Sequence, residues 1–168
     1  VKKANCKNCY KCLKYCQVKS IRYINDRVDV LDNQCILCGK CINICPQHAK
    51  TVVNNPSKIL DWLSDSKTKV IATIAPSYIG LYGVENRARL FMALKKLGFD
   101  GIEETAVGAD AVTREYKRLM DDAVMPSILT TSCPTVNMLI TRHYPDLIPY
   151  LAPVVSPVLA HGRMIKHR

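Results

Sequence analysis

Nine cysteines are the most reactive feature of this 168-residue sequence. Eight of them form two runs with the spacing C-x2-C-x2-C-x3-C, and each member of the second run follows its counterpart in the first by 29 residues. The runs consist of Cys6, Cys9, Cys12 and Cys16, and of Cys35, Cys38, Cys41 and Cys45. This internal duplication predicts two closely related groups of thiols, suited to disulfides or to metal binding. The ninth cysteine, Cys133, stands outside the duplication.

Three chemistries could use such runs. Disulfides are typical of small exported domains, whereas this chain shows no export signal and continues into a long cysteine-poor stretch. Structural zinc favours two C-x2-C pairs on a longer loop, since four ligands within eleven residues do not easily reach one tetrahedral ion. Runs of this spacing, with Pro46 after the last cysteine, are typical of proteins that bind [4Fe-4S] clusters. The spacing therefore favours iron-sulfur chemistry.

In the bacterial ferredoxin arrangement the fourth cysteine of each run ligates the cluster of the other run. This pattern predicts two cysteine sets. The first set is Cys6, Cys9, Cys12 and Cys45, and the second set is Cys35, Cys38, Cys41 and Cys16. Between the runs, two short β-type segments flank Asn25-Asp26 and predict a hairpin. Residues 1–56 thus resemble a dicluster ferredoxin domain.

Beyond residue 56 the pattern changes to alternating strands and helices. We expect a helix from about Ser57 to Ser64, and further helices over Arg87–Leu97 and Ala109–Asp121. Strands are expected at Lys69–Ala75, Gly101–Thr105 and Ser127–Thr131. Such alternation predicts a parallel α/β sheet. The expected fold class is α+β, with a dicluster domain at 1–56 and a truncated α/β domain at 57–168.

Cys133 lies where the third expected strand runs into a helix. Ser132 is a candidate helix N-cap and Pro134 suits the first helical turn, so Cys133 should lie beside backbone N–H groups. Such a position favours the thiolate form. A lone cysteine is nevertheless also a common small apolar side chain, which leaves its role open at this point.

The order of segments in the chain resembles an [FeFe]-hydrogenase large chain. The motifs that carry the resemblance are Ala75-Pro76-Ser77, Glu104 to Ala109, Thr130 to Pro134, His143 to Pro149, and Ser156-Pro157. In that family a catalytic centre, the H-cluster, contains a cubane held by four cysteines. Cys133 matches the first of the four. The resemblance implies electron relay through two [4Fe-4S] clusters to or from such a centre, with H2 and protons as substrates of a full-length protein.

Two departures from the family pattern affect that expectation. The motifs that supply the other three ligands of the H-cluster are absent, so we expect this chain to be an inactive fragment. Ser132 also stands where active members have a proton-relaying cysteine, and the relay glutamates align with Ala111 and Arg114. Val136 replaces a tryptophan of the motif, and Ala152 stands at a relay serine. A serine is a poor proton shuttle because its pKa is far above the working pH. The pattern therefore resembles the sensory members of the family more closely, and the alternative is a redox or hydrogen sensor module with little or no turnover that signals to a domain outside this fragment.

The charge and composition of the sequence limit which kinds of partner it is expected to have. Residues 1–58 contain 11 Lys and Arg against 3 Asp, a net charge of +8, whereas the remainder is nearly balanced. This basic segment compensates for anionic clusters and suits an acidic redox partner better than nucleic acid. No run is apolar enough to span a membrane, and we expect a cytoplasmic protein of an anaerobe. The four histidines lack metal-binding spacing and are expected at the surface or at helix caps.

Overall fold

The computed structural model of the chain describes residues 5–122 and 125–168. Within those residues eight α-helices and four strands follow one another along the chain. The order is α1 (Lys11–Tyr15), β1 (Ile21–Ile24), β2 (Arg27–Val30), α2 (Lys40–Asn43), α3 (Pro56–Ser64), β3 (Ile71–Ile74), α4 (Tyr78–Tyr82), α5 (Arg87–Lys96), β4 (Gly101–Glu104), α6 (Ala106–Asp121), α7 (Pro134–His143) and α8 (Pro157–Lys166). The mixture of helices and strands confirms the expected α+β class.

The elements group into two compact units. The first unit joins Val1–Asn54 with Ser127–Ala152, and the second joins Asn55–Pro126 with Pro153–Arg168. Each unit is therefore formed by two separate segments of the sequence. In the part of the chain that the structure describes, no helix is long and apolar enough to cross a bilayer.

The first unit is built around the predicted hairpin. Strands β1 and β2 pair antiparallel, with Ile21 opposite Val30 and Ile24 opposite Arg27. Asn25 and Asp26 form the two-residue turn with φ of 50° and 57°, the left-handed conformation that such a tight turn requires. Ile21 and Val28 are buried with Cys12 in a small apolar core. The hairpin thus fixes the backbone on which the cysteine runs are mounted.

The segment predicted as a third strand also belongs to the first unit, and this prediction was wrong. Ser127–Thr131 forms no extended strand and makes a single parallel bridge, between Leu129 and Leu151. The Leu129 N–H donates to the carbonyl of Tyr150 over 2.8 Å, and the Ala152 N–H donates to the carbonyl of Leu129 over 2.9 Å. The backbone of Leu129 therefore pairs locally and adds no strand to β3 and β4.

The second unit contains the parallel pair β3 and β4. Ile71 lies opposite Gly101 and Ile74 opposite Glu104, and α4 and α5 form the connection between the strands. At the end of β4, the carboxylate of Glu104 accepts hydrogen bonds from Arg87 Nε at 2.5 Å and from the Tyr78 hydroxyl at 3.1 Å. These contacts hold both connecting helices to the sheet. The hydrogen bond from Arg87 lowers the pKa of Glu104, so this carboxylate stays charged.

Helices α6 and α8 pack against each other where a glycine allows close approach. A Cβ on Gly108 would lie 2.2 Å from the carbonyl oxygen of Pro157 and 2.7 Å from the Cβ of His161. His161 is completely buried, and its Nε2 lies 2.9 Å from a carboxylate oxygen of Glu103. The expectation that every histidine lies at the surface or at a cap was therefore wrong for His161, because the half-buried carboxylate of Glu103 gives its ring a polar partner.

Two helix starts differ from the expected positions. Helix α3 begins at Pro56 after Asn55, one residue before the expected start at about Ser57, because proline is favoured in the first helical turn. Helix α6 begins at Ala106 instead of Ala109, directly after Thr105 at the end of β4. Both shifts lie within a turn of the expected boundary, which is typical of helix ends.

The substitution Gly108→Ala tests the close approach of α6 and α8. Because the added methyl group would meet a backbone carbonyl, the helices must move apart, and we expect a loss of about 1–3 kcal/mol in the free energy of unfolding. Denaturant titration followed by circular dichroism measures this change.

Gly162→Ala is the matched control in α8. A Cβ on Gly162 meets no atom within 4 Å, so helix propensity alone should stabilise this variant by about 0.5–1 kcal/mol. Equal stability of the two variants would contradict the described packing.

Candidate metal centres

The duplication of the cysteine runs is repeated in the backbone. Helices α1 and α2 begin 29 residues apart, each directly after a residue with left-handed conformation. Three pairs of residues with this left-handed conformation are separated by the same 29 positions. The pairs are Asn8 with Leu37 (φ 51° and 53°), Tyr10 with Gly39 (φ 58° and 74°), and Lys19 with His48 (φ 54° and 48°). Tyr10, Lys19 and Leu37 are residues that rarely adopt this conformation, which indicates that the turns are needed to place the thiols.

The eight thiols of the runs line two separate cavities. One cavity is lined by Cys6, Cys9, Cys12 and Cys45. The other is lined by Cys16, Cys35, Cys38 and Cys41. Each cavity therefore takes three cysteines from one run and one from the other.

In each cavity, one cysteine comes from the other run: Cys45 in the first cavity and Cys16 in the second. Both of these cysteines receive backbone hydrogen bonds. Burial alone would raise the pKa of Cys16, but the Ser20 hydroxyl and the N–H groups that follow in the chain lower it overall. For Cys45, burial is likewise outweighed by N–H groups of the turn after it, and the Ala49 N–H lies 3.3 Å from its Sγ. Hydrogen bonds to sulfur favour the thiolate, which is the form that binds metals.

Two other thiols behave in the opposite way. Burial raises the pKa of Cys12 and of Cys41, and repulsion from neighbouring thiols acts in the same direction. The positive charge of Lys50 is the largest influence that opposes both shifts. Free thiols at these positions are therefore held in their neutral form, and a positive centre in the cavity would be needed to ionise them.

The residues present fit a group larger than a single metal ion. Among residues 5–122 and 125–168, no three His, Cys, Asp or Glu side chains converge closely enough to hold one ion. A cubane cluster binds each of its four cysteines through a different iron, so its ligands surround a wider space than those of one zinc ion. Four thiols around a cavity, with N–H groups directed at their sulfurs, meet this requirement.

Cys133 is placed in the first unit at the start of α7. It is itself the N-cap residue, with Pro134 as the first helical residue, so the expectation of a Ser132 cap was wrong by one position. The Cys133 side chain is exposed. Cys133 is not among the residues that line the two cavities, and each cavity already has four cysteines without it.

The opposite end of α7 contacts the second cysteine run, which the sequence did not predict. The Arg142 guanidinium donates to the carbonyl of Cys35, and to that of Asp32 over 2.6 Å. His143 Nε2 lies 2.9 Å from the carbonyl of Gln34. The only signal for this contact in the sequence was the Arg-His pair. Basic residues are common in the last turn of any helix, so the pair did not predict the contact. Helix α7 therefore links the Cys133 segment to the loop that carries Cys35.

A duplicated four-cysteine repeat on a hairpin, with thiols gathered around two cavities, defines an iron-sulfur protein. Residues 1–59 match the model of the 4Fe-4S dicluster domain. Residues 68–168 match the model described as iron only hydrogenase large subunit, C-terminal domain. The chain belongs to the family of iron-only hydrogenase large subunits, and the resemblance seen in the sequence is confirmed.

Similar curated proteins are hydrogenases of greater length. The NADP-reducing hydrogenase subunit HndD of Solidesulfovibrio fructosivorans is 26% identical over 157 residues, which cover 83% of this chain and 27% of that protein. Iron hydrogenase 1 of Clostridium pasteurianum is 26% identical over 203 residues, covering 86% of this chain and 35% of that protein. The chain thus spans about a third or less of these relatives.

Solved structures of [FeFe]-hydrogenases show the same fold over part of the chain. One, from work on oxygen inactivation of the H-cluster, matches with a TM-score of 0.52 at 26% identity and covers 63% of this chain and 31% of that one. Another, from work on stepwise H-cluster assembly, gives a TM-score of 0.51 at 25% identity, over 64% and 31% of the two chains. These matches agree with the family assignment.

The opposite pKa shifts of the thiols predict an order of reactivity in the metal-free, reduced chain. A thiol with a lowered pKa becomes a thiolate at lower pH, so alkylation of Cys16 should reach half of its maximal rate at a lower pH than alkylation of Cys12. Iodoacetamide labelling over a pH series, quantified for each cysteine by mass spectrometry, measures this. The midpoint pH is compared because absolute rates also depend on access.

The Ser20→Ala variant should raise the midpoint for Cys16, because its hydroxyl lies 3.4 Å from the Cys16 sulfur. Ser64→Ala, which removes an exposed hydroxyl of the second unit, serves as its control. A midpoint for Cys16 above that for Cys12 would refute the described hydrogen bonding.

Proposed function

We propose that this chain is the electron-relay part of an [FeFe]-hydrogenase-like protein and binds two [4Fe-4S] clusters. The proposed ligands are Cys6, Cys9, Cys12 and Cys45 for the first cluster, and Cys35, Cys38, Cys41 and Cys16 for the second. The observation that carries the proposal is the crosswise division of the eight thiols between two cavities. In this proposal residues 1–56 form the cluster-binding domain and residues 57–168 the hydrogenase-like domain.

The chemistry that a bound [4Fe-4S] cluster supplies is reversible one-electron transfer. The chain supplies the conditions under which a cluster can be bound. The cysteines provide four thiolates per cavity, and the N–H groups near Cys16 and Cys45 stabilise negative charge on sulfur. Lys50 contributes positive charge to the buried side of the first cavity. Each of these contributions favours anionic sulfur around a cationic iron core.

Cys133 is proposed as a ligand of the H-cluster cubane in a complete protein. Its position at the N-cap of α7 leaves the thiol exposed. The other eight cysteines belong to the two runs, so this chain offers only Cys133 to such a centre. We expect the chain by itself to neither produce nor consume H2. Any hydrogenase activity of a longer protein is part of this proposal.

A sensor of redox state or hydrogen is the second candidate function. It is favoured by Ser132, whose hydroxyl stands where active family members have a relay cysteine. Arg114, at a relay position, forms an exposed ion pair with Asp110 at 3.0 Å. A fixed cation opposes proton passage, so the replacements favour slow turnover. A longer protein with H-cluster spectra but little turnover would distinguish the sensor from the enzyme.

The α7 contacts suggest which cluster serves the Cys133 site. Arg142 and His143 hold the loop of Cys35, and α7 extends from there to Cys133, about 15 Å at 1.5 Å per residue. We propose that the cluster of the Cys35 set is the one coupled to the Cys133 site. The cluster of the Cys6 set then faces the redox partner.

An acidic redox partner is proposed for the basic N-terminal segment. Its net charge of +8 would attract an acidic protein and speed encounter. Salt should then slow reduction by such a partner.

Oxygen-sensitive clusters also support a cytoplasmic location in an anaerobe.

Pairs of cysteine substitutions test the proposed crossing of the ligand sets. The double variant C6A/C45A removes two ligands of one proposed cluster, so it should retain the other cluster and about four of eight irons. C6A/C16A removes one ligand from each proposed cluster and should impair both. Iron and acid-labile sulfide per chain, after anaerobic reconstitution, give the readout.

The two double variants remove the same number of thiols, so each controls for the other. If each cluster used only the cysteines of one run, C6A/C16A would be the variant that spares a cluster. That result would overturn the crossed assignment.

A further inference from the structure

Lys50 is a buried lysine whose ammonium group lacks a partner. Only 6% of its surface is exposed, and its Nζ has no hydrogen-bond partner within the described part of the chain. Burying an unpaired positive charge is costly, and folded proteins avoid it unless an anion is supplied. This ammonium therefore indicates an anionic group next to it that no side chain of the described residues supplies through a hydrogen bond.

The surroundings of Lys50 identify where that anion would lie. Lys50 lines the cavity formed by Cys6, Cys9, Cys12 and Cys45. Its charge also influences Cys41 of the other cavity, in addition to Cys12 and Cys45. A [4Fe-4S] cluster with four thiolates carries a charge of about −2 when oxidised and gains one more negative charge on one-electron reduction. Such a group provides the missing counter-charge.

The internal repeat shows that the fold does not require a lysine at this position. The residue 29 positions earlier is Ile21, which is 5% exposed and lines the other cavity. Equivalent positions of the two halves therefore hold a buried apolar side chain at one cavity and a buried cation at the other. The difference in charge is built into otherwise matching sites, and it makes the two cavities electrostatically unequal.

We propose that Lys50 is a positioning residue that raises the reduction potential of the cluster bound by Cys6, Cys9, Cys12 and Cys45. One electron from the redox partner adds one negative charge to this cluster, and the nearby fixed positive charge stabilises the reduced state more than the oxidised state. The second cluster, with Ile21 at the equivalent position, receives less of this stabilisation. The inference rests on the proposed binding of two clusters.

The test is the variant Lys50→Ile. This substitution gives the second half of the repeat the same residue that the first half has at Ile21. Removal of the charge should lower the reduced-to-oxidised ratio of one cluster at least tenfold at a fixed potential, which corresponds to about 59 mV for a one-electron couple. A potentiometric titration followed by electron paramagnetic resonance measures the midpoints of the reconstituted chain. Iron and sulfide content verifies that both clusters are present.

Two control variants separate the buried charge from other effects. Lys50→Arg keeps the positive charge and should keep the midpoint close to that of the unmodified chain. Lys7→Ile removes the same unit of charge from an exposed side chain between Cys6 and Cys9, where water and salt screen it. The shift for Lys7→Ile should therefore be much smaller than that for Lys50→Ile.

The outcomes distinguish the inference from the function on which it rests. A wild-type chain that binds no iron overturns the cluster proposal itself, and the role of Lys50 with it. A wild-type chain with both clusters, together with equal midpoints in Lys50→Ile and Lys7→Ile, overturns the inference alone. If Lys50→Ile fails to bind clusters while Lys50→Arg binds them, the positive charge is needed for binding, which supports the inference. Failure of both variants overturns it, because the lysine would then be required for its shape.

Discussion

The cost of ionising thiols in buried, crowded cavities is the constraint on which the first unit of this protein depends. Ionisation of Cys12 is opposed by burial and by the neighbouring Cys45 and Cys6, and Cys41 is opposed in the same way by Cys35, Cys12 and Cys38. Four thiolates can share a buried cavity only when N–H groups, a cation or a metal core compensates their charge. The turns after Cys16 and Cys45, the buried Lys50 and the proposed iron core all supply that compensation.

The 29-residue repeat explains how a short segment meets this constraint twice. Equivalent residues such as Lys19 and His48 adopt the same left-handed conformation, which turns the following N–H groups toward the sulfur of the crossing cysteine. The hairpin between the runs joins the two halves, with Ile21 and Val28 packed against Cys12. Differences between the halves, such as Lys50 opposite Ile21, then give two similar cavities different electrostatic surroundings.

The sequence was sufficient to predict those features that depend on local spacing. The cysteine runs, the Asn25-Asp26 turn and the parallel pair β3 and β4 follow from short motifs and periodicity. The pairing of Leu129 with Leu151 could not be predicted, because an isolated bridge leaves no periodic pattern. The burial of His161 against Glu103 depends on the approach of α8 to β4, and the burial of Lys50 on the closure of a cavity. Both are tertiary effects that override residue-type expectations.

Membership of the hydrogenase family connects these local observations to electron transfer, which in our proposal passes through two [4Fe-4S] clusters in one chain. The most direct measurement is electron paramagnetic resonance of the anaerobically reconstituted, dithionite-reduced chain, with iron and acid-labile sulfide determined on the same sample. We expect about eight iron and eight sulfide per chain and signals from two interacting reduced clusters. Zinc or disulfides in place of iron would contradict it.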